Sequence, residues 1–418
     1  MNAARAFLIA HEQRLRRVAL AIGFIILAWQ FIAAFRPRGD FLLHWEFGRR
    51  FLLHAPLYAN GMHVPYPPFW AMAHAPLALL PVWVAKPAFY LIGAGSVLLM
   101  MWLLAALAPV KSRLFWMHAL TLLLASRFIM RDLADGGQNL VLTALVWTAI
   151  WLWTQKRIVP ASLALGIAVA LKCTALIFVG WFVWKRQWRM AFISLAAALA
   201  FSLAPALWMG PGDYSRHISE WGQTILTGIS QADPGIGVLG PEPFQNDSLR
   251  PTLARFLMHL PQGHPGRYES PWYSDFLNLT PRAAGIVIKI VTLLLGLTLL
   301  WRLRGKLTAQ SAVWQFSALG VFMLLLSPIT WGQHCVAAWP ALWLLTRELV
   351  ENGRWKKCTL LFAILTLLTN REFLGKPLSY LLASYHVTTL ALLVLLAIML
   401  IDARRARHFP QEQEQDKA

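Results

Sequence analysis

The chain has 418 residues, of which 58% are hydrophobic and only 14% are charged, and its formal net charge is +19. A soluble protein of this length needs far more charge to cover its surface, so the composition excludes a soluble globular fold and indicates a membrane protein. The basic residues stand mostly in short clusters beside apolar segments, as at Lys156-Arg157 and Lys185-Arg186. Such clusters mark the cytoplasmic loops of membrane proteins, and their placement argues against a nucleic-acid-binding protein.

The apolar segments predict a chain that crosses the membrane many times as α-helices. The first segment follows Arg16-Arg17 and has no small-residue cleavage signature, so we interpret it as a retained helix rather than a signal peptide. Length and hydropathy predict about twelve spans, with both termini cytoplasmic. These spans lie at residues 18–35, 86–109, 114–130, 139–154, 159–171, 173–184, 190–209, 283–301, 311–329, 335–346, 357–374 and 387–402.

Several of these segments are too short to cross a bilayer alone. The pair 159–171 and 173–184 is predicted to form a hairpin or a broken helix with its hinge near Lys172. No internal repeat is evident, which argues against a transporter built from inverted halves.

Two long loops, at residues 36–85 and 210–282, fall on the predicted outer side. They are polar, aromatic and rich in Pro and Gly, whereas most loops on the other side are short and basic. The prediction is an all-α polytopic membrane protein in which residues 1–402 form one domain and residues 403–418 form a disordered cytoplasmic tail. The three cysteines are scattered without a CxxC spacing, so we expect neither a disulfide framework nor a metal site.

The first outer loop carries two carboxylates. Asp40 directly follows the first span, where an ionised group is costly unless it faces water, so it is a functional candidate. Capping of the next helix is an equally good explanation, and the two roles are compatible. Glu46 is at helical spacing to pair with Arg49 or Arg50, which is its simpler interpretation. A Pro-Pro turn after Tyr66 is structural, although Tyr66 itself is a candidate ligand contact.

Further polar residues lie at the predicted membrane border. Gln138 and Asn139 open a span; Asn139 can cap that helix, and both can bind ligand hydroxyls. Arg131 either pairs with a neighbouring aspartate or binds a ligand. Lys172 is central to about twenty-five apolar residues, so it must snorkel, pair or face water.

The later part of the chain adds three candidates on the same predicted side. Asn246 and Arg250 belong to the second outer loop and either contact a polar ligand or are ordinary solvated residues. His334 follows the helix break at Pro328. A lone histidine is usually structural, but this position favours a donor to an anionic oxygen.

Short motifs spread over roughly residues 20–345 carry a resemblance to a known family. They are Gly39-Asp40, Leu57-Tyr58, Tyr66-Pro67-Pro68, Pro76-Leu77-Ala78-Leu79-Leu80-Pro81, Gly137-Gln138-Asn139, Ala170-Leu171-Lys172, Asn246 with Ser248-Leu249, and Ser327-Pro328 with Trp331 and His334. This ordered set resembles glycosyltransferase family 87, the polyprenyl-phosphate-mannose-dependent mannosyltransferases of the GT-C class. The chain departs from the family pattern at Cys173, where Pro is usual, and at His44-Trp45, where a tyrosine is common.

The resemblance implies a GT-C fold and inverting transfer of a hexose, with mannose expected, from a polyprenyl-phosphate donor. The acceptor is a lipid or glycan on the outer face of the cell inner membrane, and no metal or cofactor is implied. Asp40 takes the place of the general base. The candidates for donor phosphate and sugar binding are Lys172, His334, Gln138, Asn139, Asn246, Arg250 and Tyr66, with Glu46 and Arg131 as secondary candidates.

Two other function classes stay open at this point. A flippase or transporter of lipid-linked sugars predicts ionisable residues near the midplane of several helices and polar loops on both sides. A non-catalytic scaffold subunit predicts no dependence on Asp40. The concentration of polar residues on one side favours the transferase.

Overall fold

The structure is a computed structural model that describes residues 11–36, 39–58, 64–110, 113–261, 267, 272–273, 275–352, 355–367 and 371–402. The predicted tail at 403–418 lies outside the described residues. Almost all of the regular structure is helical, and a short antiparallel hairpin pairs β1 (Ile236–Gly237) with β2 (Gly240–Pro241).

The helices follow one another with short connections along most of the chain. They are α1 (Glu12–Ala34), α2 (Phe41–Leu52), α3 (Pro68–Ala78), α4 (Val82–Leu107), α5 (Leu114–Asp135), α6 (Asn139–Thr154), α7 (Ile158–Leu171), α8 (Leu176–Trp184), α9 (Trp188–Leu203), α10 (Ala206–Met209), α11 (Pro211–Ser230), α12 (Leu249–Leu257), α13 (Pro281–Arg302), α14 (Ala309–Leu326), α15 (Trp339–Asn352), α16 (Trp355–Phe362), α17 (Arg371–Ser384) and α18 (Val387–Asp402). A π-helical segment at Ala363–Leu367 follows α16. Two 3₁₀ segments matter for the site: Cys173–Ala175 and Gly332–Ala338.

Six helical stretches in the described part of the chain are long and apolar enough to cross a membrane: α1, α4, α5, α13, α14 and the stretch Trp188–Met209. The pair Leu374–Ser384 and Val387–Asp402, bent by 68°, makes a seventh if it is one span. The prediction of a helical multi-pass membrane protein is therefore confirmed. The number of twelve spans stays a prediction, as do the sidedness of the loops and the single domain.

The predicted break at Lys172 is confirmed. Helix α7 ends at Leu171, Lys172 has an extended backbone with φ −149° and ψ 111°, and a 3₁₀ turn begins at Cys173. The break places the lysine side chain among polar groups at the end of α7 instead of inside an apolar helix.

Both predicted loops contain helices, and helix α3 of the first loop packs against α7, the first half of the broken helix. Helices α2 and α3 lie in the first loop and bury a small aromatic core that includes Phe47, Phe51 and Trp70. Helix α11 lies in the second loop, and its Trp221 indole donates to the Pro65 carbonyl at 3.2 Å. The two loops therefore close over one shared space.

Candidate active site

Asp40 stands at the start of α2 but does not cap that helix. Its side chain makes no capping hydrogen bond, and its Oδ2 instead accepts from Nε2 of Gln333 at 3.0 Å. Gly39, with φ +84°, makes this direction possible, because a Cβ at this position would lie 2.7 Å from the carbonyl oxygen of Asp135. The backbone of Gly39 thus packs against Asp135 at the end of α5, and the Asp40 carboxylate points toward Gln333.

Four of the predicted site residues line one cavity of about 500 Å³: Asp40, Tyr66, Lys172 and His334. These four residues are far apart in the sequence, and the fold brings them together around this cavity. The rest of its lining is mostly apolar and includes Val64, Ile177, Trp221, Ile225, Ile229, Leu239, Met323, Leu326 and Trp331. We call this space the first cavity. It combines one carboxylate with a cation and an imidazole inside an apolar shell.

The surroundings of Asp40 make its carboxylate a stronger base than an exposed aspartate. Burial raises the pKa of Asp40, and the nearby charge of Asp135 raises it further. The hydrogen bond from Gln333 and the charges of Arg131 and Lys172 act in the opposite direction but do not cancel the rise. A carboxylate with a raised pKa accepts a proton more readily from a hydroxyl group.

Lys172 is held by a chain of buried polar groups. Its Nζ donates to Oδ1 of Asn139 at 3.2 Å, and Nδ2 of Asn139 donates to Oδ1 of Asp132 at 2.8 Å. The other oxygen of Asp132 accepts from the backbone N–H of Leu140 at 2.9 Å. Asp132 is fully buried. It therefore orients both the first turn of α6 and the asparagine that contacts the lysine.

The interpretation of Asn139 as the cap of α6 is wrong. Gln138 occupies the N-cap position, and Asn139 is the first residue of the helix, with its side chain bonded to Asp132 and Lys172. The carboxylate of Asp132 accepts from the backbone N–H groups of Asn139 and Leu140 at the start of the helix. The reason is the Gly136-Gly137 turn, which folds the end of α5 back under α6. A Cβ on Gly137 would lie 2.1 Å from Oδ1 of Asp132, so any other residue there would displace that carboxylate.

His334 is buried and is oriented by the backbone. Its Nδ1 lies 3.0 Å from the carbonyl oxygen of Ile329 and 3.2 Å from the amide nitrogen of Trp331. When Nδ1 accepts from the Trp331 amide, Nε2 carries the proton and is the nitrogen left to donate to a ligand. The imidazole ring lies parallel to the Trp331 indole at a centroid distance of 6.2 Å.

Tyr66 forms an aromatic wall of the first cavity. Its ring stacks on Trp70 with centroids 3.8 Å apart, and the Trp70 indole donates to Nδ1 of His44 at 3.1 Å. Burial lowers the pKa of His44 well below its ordinary value, so this ring is neutral and serves as an acceptor. The departure from the family pattern at His44 therefore lies behind the cavity wall and supports it.

Two predicted donor contacts lie outside the first cavity and anchor the second loop. Asn246 is buried and bonds to Glu242, to the Pro328 carbonyl and to the Thr330 amide. Arg250 donates to three loop carbonyls, those of Gly228, Gln231 and Asp233. Their polar atoms are used within the protein, and a direct contact with a ligand stays a prediction.

The remaining candidates also lie away from the first cavity. Glu46 bonds to Arg49 and Arg50 at 2.8 and 3.0 Å, as its simpler interpretation predicted. Gln138 is buried at the start of α6, with Oε1 lacking a partner. Arg131 pairs with Asp135 at 3.5 Å and faces a different cavity.

No group of three or more His, Cys, Asp and Glu side chains suited to a metal ion occurs in the described part of the chain. Among the described residues, the lining of the first cavity contains one carboxylate, that of Asp40, and one cation, that of Lys172.

The sequence profile of glycosyltransferase family 87 matches residues 64–328. The chain belongs to glycosyltransferase family 87. It is accordingly a glycosyltransferase. The family predicted from the short motifs is therefore confirmed. The matched region contains Tyr66 and Lys172, whereas Asp40 and His334 lie outside it.

Two similar proteins each align with this chain over 351 residues. Both are named polyprenol-phosphate-mannose-dependent alpha-(1-2)-phosphatidylinositol mannoside mannosyltransferase. The protein of Mycobacterium tuberculosis is 26% identical over 351 residues, which cover 77% of this chain and 73% of the relative. The protein of Mycolicibacterium smegmatis is 25% identical over 351 residues, covering 77% and 72%.

Proposed function

We propose that this glycosyltransferase moves mannose from a polyprenyl-phosphate donor to a lipid or glycan acceptor, with inversion, at the outer face of the cell inner membrane. The family and the names of the two relatives support the donor and a lipid acceptor. The observation that carries the mechanism is the first cavity, where Asp40 shares one lining with Lys172 and His334. Both termini are proposed to be cytoplasmic, and no cofactor takes part.

The reaction begins with an acceptor hydroxyl bound to the Asp40 carboxylate, at about 2.6–3.2 Å between the two oxygens. The hydroxyl oxygen attacks the anomeric carbon of the donor while the bond from that carbon to the phosphate oxygen breaks. The hydroxyl proton passes to Asp40, and polyprenyl phosphate leaves. The raised pKa of Asp40 favours this proton transfer.

The leaving phosphate gains negative charge as the bond breaks, so fixed positive groups stabilise the transition state. Lys172 is proposed to bind this phosphate, and Asn139 with Asp132 holds it in place. His334 is proposed to donate to a phosphate or sugar oxygen, and the ring of Tyr66 to contact the sugar face. Since Lys172 supplies the positive charge, the proposal includes no metal.

The apolar part of the first cavity suits the polyprenyl chain. Helix α11 contributes Ile225 and Ile229, and α14 contributes Met323 and Leu326. Apolar groups in this position exclude water from the reacting centre, which strengthens the electrostatic contacts with the phosphate.

The test is to incubate membranes containing the chain with radiolabelled polyprenyl-phosphate-mannose and to identify the labelled products. The proposal predicts a new glycosidic product in a lipid or glycan fraction, absent from membranes without the chain. Movement of the labelled donor across the membrane without a glycosidic product would instead support a flippase.

A further inference from the structure

Helix α13 exposes a lysine on an otherwise apolar surface. The helix is long and apolar enough to cross a membrane, and only 17% of that stretch is buried inside the protein. Lys289 is exposed between Ile286 and Leu293, whose side chains are 59% and 61% exposed. By the rise of an α-helix, Lys289 lies about 12 Å from Pro281, where α13 begins. A charged side chain at this depth is costly unless it finds an opposite charge or water.

Arg282 lies on the same face of α13, near the start of the helix. Its position and that of Lys289 are about two full helical turns apart, so the two side chains stand one above the other on the helix surface. Both are exposed, and neither forms a hydrogen bond or an ion pair with another residue that the structure describes. Helix α13 contains no acidic residue, so nothing on the helix offsets these two charges.

Lys86 of α4 shows how this protein accommodates a lysine that has a structural role. Its side chain is only 2% exposed, and its Nζ donates to the Arg36 carbonyl at 3.1 Å. Lys86 therefore turns into the protein and ties α4 to the end of α1. Lys289 turns outward instead, so the partner that its charge requires comes from outside the described part of the chain.

The segment that leads into α13 adds apolar side chains at the same end of the helix. Phe276 and Leu277 are 70% and 61% exposed. This segment is fixed against α12, because the Phe276 amide donates to the Phe256 carbonyl at 2.8 Å. Exposed apolar side chains beside cations are typical of a surface that lies at the border of an anionic membrane. We call this surface the α13 surface; it consists of Phe276, Leu277, Arg282, Ile286, Lys289 and Leu293.

A second copy of the chain offers no free carboxylate from its membrane-crossing stretches. Within the six stretches that the structure describes, the acidic residues are Glu12, Asp132 and Asp135. Glu12 pairs with Arg16 at 2.6 Å, and Asp135 pairs with Arg131 at 3.5 Å. Asp132 is fully buried. The negative charge that suits the α13 surface is therefore better supplied by a lipid.

We propose that the α13 surface binds an anionic phospholipid of the surrounding bilayer. The lipid phosphate lies between Arg282 and Lys289, and the acyl chains cover the apolar side chains of the same face. The side chain of a helical lysine points toward the N-terminal end of its helix, so Lys289 reaches toward the headgroups at the start of α13. None of the described residues of α13 lines the first cavity, so this inference does not depend on the proposed reaction.

Photo-crosslinking from a single position tests the proposal. The crosslinking amino acid p-benzoylphenylalanine takes the place of Ile286, which lies between the two cations. The full chain is reconstituted in vesicles of about one part phosphatidylglycerol to four parts phosphatidylcholine, with a radiolabel on one lipid or the other.

The matched control carries the same crosslinker at Leu203. This side chain is 47% exposed, and it lies about one and a half turns from the end of the stretch Trp188–Met209, as Ile286 does from the start of α13. Both of these ends adjoin the second loop, so the two positions lie at a similar depth on the same side. The stretch carries no cation after Arg189.

We expect position 286 to crosslink phosphatidylglycerol at least about fivefold above its share of the vesicle lipid, and position 203 to stay within about twofold of that share. The double variant Arg282→Gln, Lys289→Gln should bring position 286 within about twofold of the share. Arg282→Lys, Lys289→Arg keeps both charges and should keep the enrichment. Arg282→Gln alone, at the helix end, should lower it at least about twofold.

Equal enrichment at positions 286 and 203 would overturn the proposal. Enrichment that survives the loss of both cations would overturn it too, as would a crosslink from position 286 to another protein chain in place of lipid. The altered side chains are exposed, so the double variant should unfold at the wild-type temperature, which a thermal melt checks. Since mannose transfer is not the readout, failure of the proposed reaction would leave this result unchanged.

Discussion

At the scale of single residues, the ionisation of Asp40 sets the pH dependence of the reaction. The base works only when ionised, and burial gives Asp40 a raised pKa. Activity is therefore expected to be full above this pKa and to fall as the pH drops through it, at a higher pH than for an ordinary aspartate. The measurement is the acid limb of kcat/KM against pH.

Two substitutions next to Asp40 move this limb in opposite directions. Gln333→Leu removes a hydrogen bond that favours the charged carboxylate, so the limb shifts to higher pH. Asp135→Asn removes a neighbouring negative charge that raises the pKa, so the limb shifts to lower pH. If neither substitution shifts the acid limb, the ionisation seen in the pH profile is not that of Asp40.

Lys172 is expected to matter mainly in the transition state. Lys172→Met removes the positive charge proposed to face the leaving phosphate, and we expect kcat to fall about 100–1,000-fold. Asp132→Asn keeps the size of the side chain that positions Asn139 and should cause a smaller loss. Rates measured with saturating donor separate these effects from donor binding. Equal, minor losses in both variants would remove Lys172 from the mechanism.

At the scale of elements, the Gly136-Gly137 turn positions the site by joining α5 to α6. Gly137→Ala places a methyl group against the Asp132 carboxylate, at 2.1 Å from Oδ1 before any relaxation. We expect a loss of about 1–3 kcal/mol in the free energy of unfolding, because the capping contact must move. Thermal unfolding of the detergent-solubilised protein measures it.

The matched control for this substitution is Gly95→Ala in α4. A Cβ at Gly95 meets no atom within 4 Å, so alanine should fit and slightly favour the helix. A melting temperature for Gly137→Ala that is no lower than that of Gly95→Ala would show that the turn tolerates a side chain.

At the scale of the whole molecule, the sequence predicts the helical membrane fold and the broken helix at Lys172 because both follow from hydropathy along the chain. The motifs at Asp40, Tyr66, Lys172 and His334 name residues that share the first cavity, whereas Arg250, predicted for the same site, lies outside it. The span count is harder, because several apolar helices, such as Asn139–Thr154, are shorter than a bilayer crossing.

Other parts of the site depend on contacts that the sequence does not reveal. Gln333 bonds to a residue 293 positions away, and nothing in its local sequence distinguishes it from a solvated glutamine. Asp132 lies next to Arg131 and reads as half of an ion pair, whereas the Gly-Gly turn makes it a helix cap. Asn246 and Arg250 have the composition of a ligand site, but the loop carbonyls and amides use their polar atoms.

The most direct test of the central claim is mannose transfer by purified Asp40→Asn protein, compared with Glu46→Gln as the control. Glu46 pairs with Arg49 and Arg50 and does not line the first cavity, so its variant should retain near wild-type turnover. The account predicts that Asp40→Asn binds the donor with unchanged affinity while kcat falls about 100–10,000-fold, since it loses the general base. Turnover of Asp40→Asn within threefold of wild type would contradict the account.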